Sequence, residues 1–204
     1  MSLETLTNKG IVIARSSSKH PQKTIVVVGV ARGGTSIVSG TLHHLGVFMG
    51  NANSPVYEDL RISLAFEKQS DEKFEHVIQA YNRNYDTWAW KRPSTLHSLP
   101  RIARKVRNPH FIFVFRDILS VANRNTISMS KNMGDGLKCA LEDYSKIIKF
   151  INKSNHPALL ISSEKVINHK LDFINALSDF INISPTETQL QAAQEFYLPT
   201  LVLI

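Results

Sequence analysis

Short apolar runs alternate along this chain with longer stretches whose apolar positions recur at helical spacing. Ile25 to Val28 is β-branched throughout, which predicts a buried parallel strand. Ile37, Leu42 and Leu45 follow at helical spacing, with Gly46 where a helix C-cap is expected. MGNANSPVYEDL then reads as a loop, and Tyr57, Glu58 and Asp59 open a helical pattern running to about Tyr81. Thr87 to Lys91 predicts a short strand ended by Pro93. Trp88 and Trp90 on it are expected in the core, with an acceptor-lining position open for one of them. Leu96, Leu99, Ile102, Ala103 and Val106 give a helix that Asn108-Pro109 breaks. Phe111 to Phe115 is the second strongly buried strand signal and runs directly into Arg116 and Asp117. Helices are expected over Leu119–Ser130 and Leu137–Ile151, with a polar break at Asn132–Gly136 between them. Ala158 to Ser162 adds a further core strand, and two or three helices fill Lys165 to Tyr197. Residues 1–22 show no strong periodicity and are expected to be loop-like or poorly ordered. Strands alternating with helices imply an α/β fold, a three-layer sandwich whose central, mostly parallel sheet is covered on both faces.

Composition narrows the class. At 204 residues the chain is expected to form a single domain spanning 1–204, large enough for one sizeable core. One cysteine, Cys139, excludes an internal disulfide and fits a reducing compartment. No apolar run approaches the ~18 residues that span a bilayer, and the polar N-terminus lacks a signal-peptide core. The expectation is a cytoplasmic protein without stable membrane insertion. The net charge of +7 favours anionic ligands. Nucleic acid is not expected, because no zinc-finger spacing, RNA-recognition signature or basic helix with interleaved aromatics is present. Much of the basic excess lies between Lys91 and Arg107, where a solvated helix face explains it as well as a binding patch does.

The charge changes the reading most at the first strand and turn, TIVVVGVARGGTSIVSGTLHHLGVFMG. Strand, glycine turn and helix in that order make a phosphate cradle. Gly33 and Gly34 let the backbone approach an anion, and the helix N-terminus presents N–H groups with a favourable dipole. Thr35 and Ser36 add hydroxyls, and Arg32 adds a planar charge. Against the nucleotide-triphosphate loop, G-x-x-x-x-G-K-S/T, Gly29 and Gly34 take the glycine positions and Thr35 takes the lysine position. An ATPase or GTPase needs that lysine, so the loop is suited to a shorter, less charged anion. Ligands of open α/β sheets bind beyond the carboxyl ends of the strands. That rule puts Arg32, Lys91 and Arg116 along one rim, a set of cations matched to a ligand with more than one anionic group.

At this point the sequence resembles the bacterial-type sulfotransferases that use 3'-phosphoadenosine-5'-phosphosulfate (PAPS), with a P-loop NTPase-like fold. The resemblance covers most of residues 24–182 and rests on GVARGGTSIVSGTLHHLGVFMG, WAWKRP and NPHFIFVFRDILSVANRN. It implies that Arg32, Gly33, Gly34, Thr35 and Ser36 bind the 5'-phosphosulfate and that Arg116 holds the 3'-phosphate. A serine usual for the same phosphate is replaced by Arg124, a side chain that can serve a phosphate bidentately. LLISSEKVINHKLDFINALSDFINI matches the family's later strand, acidic turn and helix, including Glu164. Pro93 stands where many members carry a basic histidine, and Glu58 suits the base position of the bacterial branch. Asp59 and His97 are alternative bases; His43 and His44, inside the first helix, are weaker candidates. Lys91 would stabilise the leaving phosphate oxygen or the sulfonate. No basic, glycine-rich C-terminal segment is visible: another element covers the nucleotide, the chain is truncated, or the donor site is degraded.

The resemblance implies transfer of a sulfonate from PAPS to a hydroxyl of a small-molecule, glycan or lipid acceptor. It leaves 3'-phosphoadenosine-5'-phosphate (PAP) as product and needs no metal. A catalytically silent relative that binds a nucleotide or other anion is the alternative, and a P-loop small-molecule kinase stands behind both. Acceptor identity and oligomeric state lie beyond the sequence.

Overall fold

The computed structural model describes residues 7–52, 54–129 and 132–196. The chain forms β1 (Ile11–Arg15), β2 (Lys23–Gly29), α1 (Thr35–His44), α2 (Leu60–Glu67), α3 (Asp71–Asn84) and β3 (Thr87–Lys91). A 3-10 turn at Pro93–Ser98 leads into α4 (Leu99–Lys105), β4 (Pro109–Phe115), α5 (Ile118–Met129), α6 (Met133–Lys153) and β5 (Ala158–Ser162). After a second 3-10 turn at Val166–Asn168 come α7 (Lys170–Ile181) and α8 (Glu187–Glu195).

These strands make one five-stranded sheet in the order β1-β5-β4-β2-β3. The β2–β3, β2–β4 and β4–β5 pairs are parallel, and only β1 runs antiparallel, on the β5 edge. Every residue of β2 is buried, as a strand covered on both faces requires. Its alternating residues divide the core. Val26 and Val28 join Trp88, Trp90, Phe111 and Phe113 against α3, α4 and α6 on one face. Ile25 and Val27 join Ile112, Val114, Leu159 and Ile161 against α1 and α7 on the other. The result is the expected three-layer α/β sandwich.

Three expectations change. Ile11–Arg15, within a segment read as loop-like, is an edge strand, whose register with β5 pairs Ile11 with Ile161 and Ile13 with Leu159. The helix expected from residue 57 to 81 is two helices. The chain turns at Gln69 (φ 54), where the Gln69 and Ser70 amides donate to the Phe66 and Ala65 carbonyls. The break expected over 132–136 shrinks to Asn132, which caps α6 by accepting from the Asp135 amide. Residues 1–6, Ser130 and the tail from Tyr197 onward, on which parts of those readings fell, lie outside the described residues. Among the described residues no helix is long and apolar enough to cross a membrane.

Candidate active site

The parallel strands β2, β3, β4 and β5 end together along one rim, and the segments leaving these ends carry the candidate residues. After β2 the chain turns through Val30 to Gly34, and the Gly33 amide donates to the Val30 carbonyl at 2.9 Å. Gly34 has φ 85, and a Cβ there would lie 2.6 Å from that of Ser163, so the turn closes only with glycine. Arg32 also sits in the left-handed region, at φ 65, a rare conformation for a side chain of its kind. Helix α1 then starts without a side-chain cap, the arrangement that leaves first-turn N–H groups for an anion. Thr35 is buried, Ser36 half-buried and Arg32 exposed.

Arg116 follows β4 and reaches back to this turn. Its Nη1 donates to the Arg32 carbonyl at 3.2 Å, and its Nε to Glu164 Oε1 at 3.2 Å. The Tyr144 hydroxyl brackets its backbone, accepting from the Arg116 amide and donating to its carbonyl, both at 2.9 Å. Asp117 accepts from the Ser120 amide at 2.8 Å and so fixes the start of α5. Further along that helix, the half-buried Arg124 comes within electrostatic reach of both other arginines. Burial depresses its guanidinium below the usual arginine value, and the charges of Arg116 and Arg32 depress it further. Like charges brought within reach of one another raise the local positive potential.

The third side of the rim is an ion-pair chain. Lys91, the last residue of β3, is 2% exposed and donates from Nζ to Glu58 Oε1 at 2.8 Å. A longer contact of 3.5 Å joins the same Nζ to Ser36 Oγ. Burial lowers the pKa of Lys91, and Glu58 opposes that shift. Arg92 pairs its Nη1 with Glu58 Oε2 at 2.5 Å and grips Glu67 through Nε and Nη2 at 2.7 and 3.1 Å. Ser94 adds a hydroxyl donor to Glu67 at 2.7 Å. The loop carrying Glu58 is placed from both ends: Ser36 Oγ donates to the Val56 carbonyl at 3.4 Å, and Trp90 Nε1 donates to Ser63 Oγ on α2 at 3.2 Å.

The remaining candidates fall elsewhere. Asp59 is buried and caps α2, accepting from the Arg61 and Ile62 amides, the Asn51 amide and the Tyr81 hydroxyl. With its oxygens so occupied it is a structural carboxylate. His97 is exposed and meets Lys146 Nζ at 3.2 Å. His43 packs on Tyr57 and His44 on Phe196. Trp88 and Trp90 both lie in the core, because residues two apart on a strand share a face; neither is left for an acceptor pocket. Among the described residues no group of His, Cys, Asp and Glu is arranged to hold a metal ion.

Arg92, Glu67 and Ser163 are the members of this rim that sequence reading misses. Arg92 is legible only by its place after Lys91. The Glu67 and Ser163 contacts depend on tertiary folding and leave no local signal.

Solved structures share this architecture. The sulfotransferase domain of the Synechococcus PCC 7002 olefin synthase superposes with a TM-score of 0.58 at 15% identity, over 86% of this chain and 78% of that one. The sulfotransferase domain of the curacin biosynthetic pathway gives 0.56 at 16% identity, over 83% and 77%. A sulfotransferase from Mycobacterium tuberculosis H37Rv gives 0.55 at 11%, over 84% and 70%. The chain therefore has the P-loop-like fold of sulfotransferase domains. No protein-family model matches it. In sequence it is 27% identical over 108 residues to a probable cysteine desulfurase of Pasteurella multocida (strain Pm70), a match over 51% of this chain. That match spans 24% of the relative's length.

Proposed function

We propose that the protein is a sulfotransferase that moves a sulfonate from PAPS to a hydroxyl acceptor. The observation that carries this reading is the convergence of Arg32, Arg116 and Arg124 beside an uncapped helix N-terminus, with the Lys91–Glu58 pair next to Ser36. Two anionic groups on one donor suit two cationic positions tied through the Arg32 carbonyl. The glycine turn, whose closeness a Cβ at Gly34 would abolish, suits a tightly held oxyanion. The cysteine desulfurase match, confined to a quarter of that protein, carries no activity to this chain.

PAPS, as the donor substrate, supplies an activated sulfur–oxygen bond to the 5'-phosphate. Arg32 and the amides of Gly33 to Ser36 would hold its sulfonate and 5'-phosphate, and Arg116 and Arg124 its 3'-phosphate. Glu58 is the base. A carboxylate has about four lone-pair sites, and the ion pairs to Lys91 and Arg92 leave room for the acceptor hydroxyl. Glu58 takes the hydroxyl proton as the acceptor oxygen bonds to sulfur. The bond from sulfur to the phosphate oxygen breaks, and its electron pair leaves on that oxygen. Lys91, a three-donor ammonium, turns a remaining N–H toward the charge that develops there. Positioning and electrostatics supply most of the acceleration, as in phosphoryl transfer.

Thermal unfolding with and without PAP tests the donor site. Binding to the folded state alone raises Tm, by an amount set by ligand concentration over Kd. The wild type should show a clear rise at millimolar PAP, Arg116→Ala little or none, and Mg²⁺-ATP should not substitute. No shift in the wild type would refute the donor assignment and favour the silent, anion-binding alternative.

A further inference from the structure

A cavity of about 520 Å³ opens between α2 and α3, away from the arginine cluster. Leu64, Ala65 and Val77 give it an apolar lining, and Arg61, Lys68 and Lys73 bring cations against the carboxylate of Glu72. The neighbouring acids are already committed: Asp71 pairs with Arg101, and Glu75 with Lys105. Among the described residues neither Lys68 nor Lys73 forms an ion pair. The cavity is thus apolar inside with an excess of uncompensated positive charge.

Its position ties it to the rim. Arg61 Nη2 donates to the Tyr81 hydroxyl at 2.8 Å, and that hydroxyl donates to Asp59, the residue after Glu58. Along α2, Leu60, Leu64 and Glu67 follow at i, i+4 and i+7, while Arg61, Leu64 and Lys68 follow at i, i+3 and i+7. Leu60 and Leu64, 57% and 45% exposed, therefore form an apolar stripe between two charged groups. On one side stands the Glu58–Arg92–Glu67 chain, and on the other the basic cavity. Leu60 and Lys68 are roughly 12 Å apart along the helix axis, at the usual rise per residue.

We infer that this cavity anchors the acceptor, which is an amphipathic hydroxylated carboxylic acid. Its carboxylate sits among Arg61, Lys68 and Lys73, its apolar body crosses Leu64 and Leu60, and its hydroxyl reaches Glu58. Exposed leucines beside Lys68 and Lys73, which form no ion pair among the described residues, match that chemistry by charge and by polarity. The fate of the hydroxyl rests on the sulfonate-transfer reading, whereas the carboxylate site does not.

Titration calorimetry with dodecanoate, ω-hydroxydodecanoate, dodecanol and dodecylammonium, each below its aggregation threshold, tests the site on the wild type and on Lys68→Gln/Lys73→Gln. Both positions are exposed, so the double variant should fold normally. The two carboxylates should bind at least tenfold more tightly than dodecanol or dodecylammonium. The double variant should lose about tenfold, the combined worth of two surface ion pairs. In the transfer assay ω-hydroxydodecanoate should exceed dodecanol in kcat/KM by a similar factor. Equal binding of all four probes, absent carboxylate binding, or an unchanged double variant would overturn the inference. A PAP-induced rise in Tm persisting in that event would leave the donor reading standing. Carboxylate binding without any PAP response would do the reverse.

Discussion

Glu58 and Asp59 are neighbours in sequence with opposite fates. Asp59 accepts three backbone amides and a tyrosine hydroxyl and closes the start of α2. Glu58 points to the rim, where both its partners are cations on the β3 end. Sequence alone leaves their roles interchangeable, because helix entry is uncertain by a residue or two from pattern. Arg92 holds Glu67 with its planar fork and Glu58 with its other nitrogen. In the proposed reaction it would act as a positioning residue. Glu58→Gln should lower kcat about a hundredfold or more while keeping the PAP-induced rise in Tm. Arg92→Lys keeps the charge but loses the fork. It should therefore lower kcat with little change in the donor KM, and Arg92→Ala should do so more severely. Steady-state kinetics at saturating donor reads all of these, and a Glu58→Gln enzyme within twofold of wild type would remove Glu58 from the mechanism.

At the scale of elements, strands whose residues are mostly buried are legible in the sequence, the β3 edge included, and the exposed edge β1 is not. Ile25–Val28 and Phe111–Phe115 announce themselves because nothing polar interrupts them. β1 buries almost nothing: Val12 and Ile13 are both more than half exposed, so the strand lacks the alternation that would reveal it. The turn between α2 and α3 is hidden differently. Helices commonly end on a left-handed residue, usually glycine, and here Gln69 fills that place at φ 54. The apolar periodicity continues across it, so two helices read as one. A non-glycine residue in the left-handed region costs about 1 kcal/mol or more. Gln69→Gly should accordingly raise the unfolding free energy by roughly 0.5–1 kcal/mol in urea denaturation, with the α2–α3 cavity unchanged. A loss of stability instead would mean that the glutamine side chain contributes more than its backbone conformation costs.

Across the whole molecule the two ends of the sheet carry opposite electrostatic solutions. The carboxyl rim gathers Arg32, Arg116 and Arg124 within electrostatic reach of one another, with Glu164 beside Arg116. The other end buries basic groups in their neutral or internally hydrogen-bonded forms. Lys23 donates to the Ser18 carbonyl at 3.0 Å. His110, fully buried at the start of β4, hydrogen-bonds the Asn108 carbonyl at 2.9 Å and accepts from the Ser18 amide at 3.2 Å. Both ring nitrogens are thus committed to the neutral tautomer, and burial, helped by Lys23, lowers the pKa of His110 to about 4. Between that value and the unfolded pKa near 6.5, the unfolded chain binds a proton that the folded chain refuses, so stability rises with pH. A depression of that size corresponds to about 3 kcal/mol, present above pH ~6.5 and lost as pH falls toward 4. Burial lowers His44 and His156 in the same sense. The depressed carboxylates Glu67, Asp71 and Asp117 lose their contribution only below their unfolded values, near pH 4. The interval from about pH 6.5 to about 4.5 therefore belongs to the histidines. Urea unfolding across it should show stability falling with acidity, and His110→Asn, which keeps a donor for the Asn108 carbonyl, should flatten that slope while lowering stability at pH 7. An unchanged slope would assign the acid sensitivity to His44 and His156. Such a slope also bears on the site: donor binding should be measured above about pH 6.5, where loss of PAP response reports the arginine rim and not the far end of the sheet.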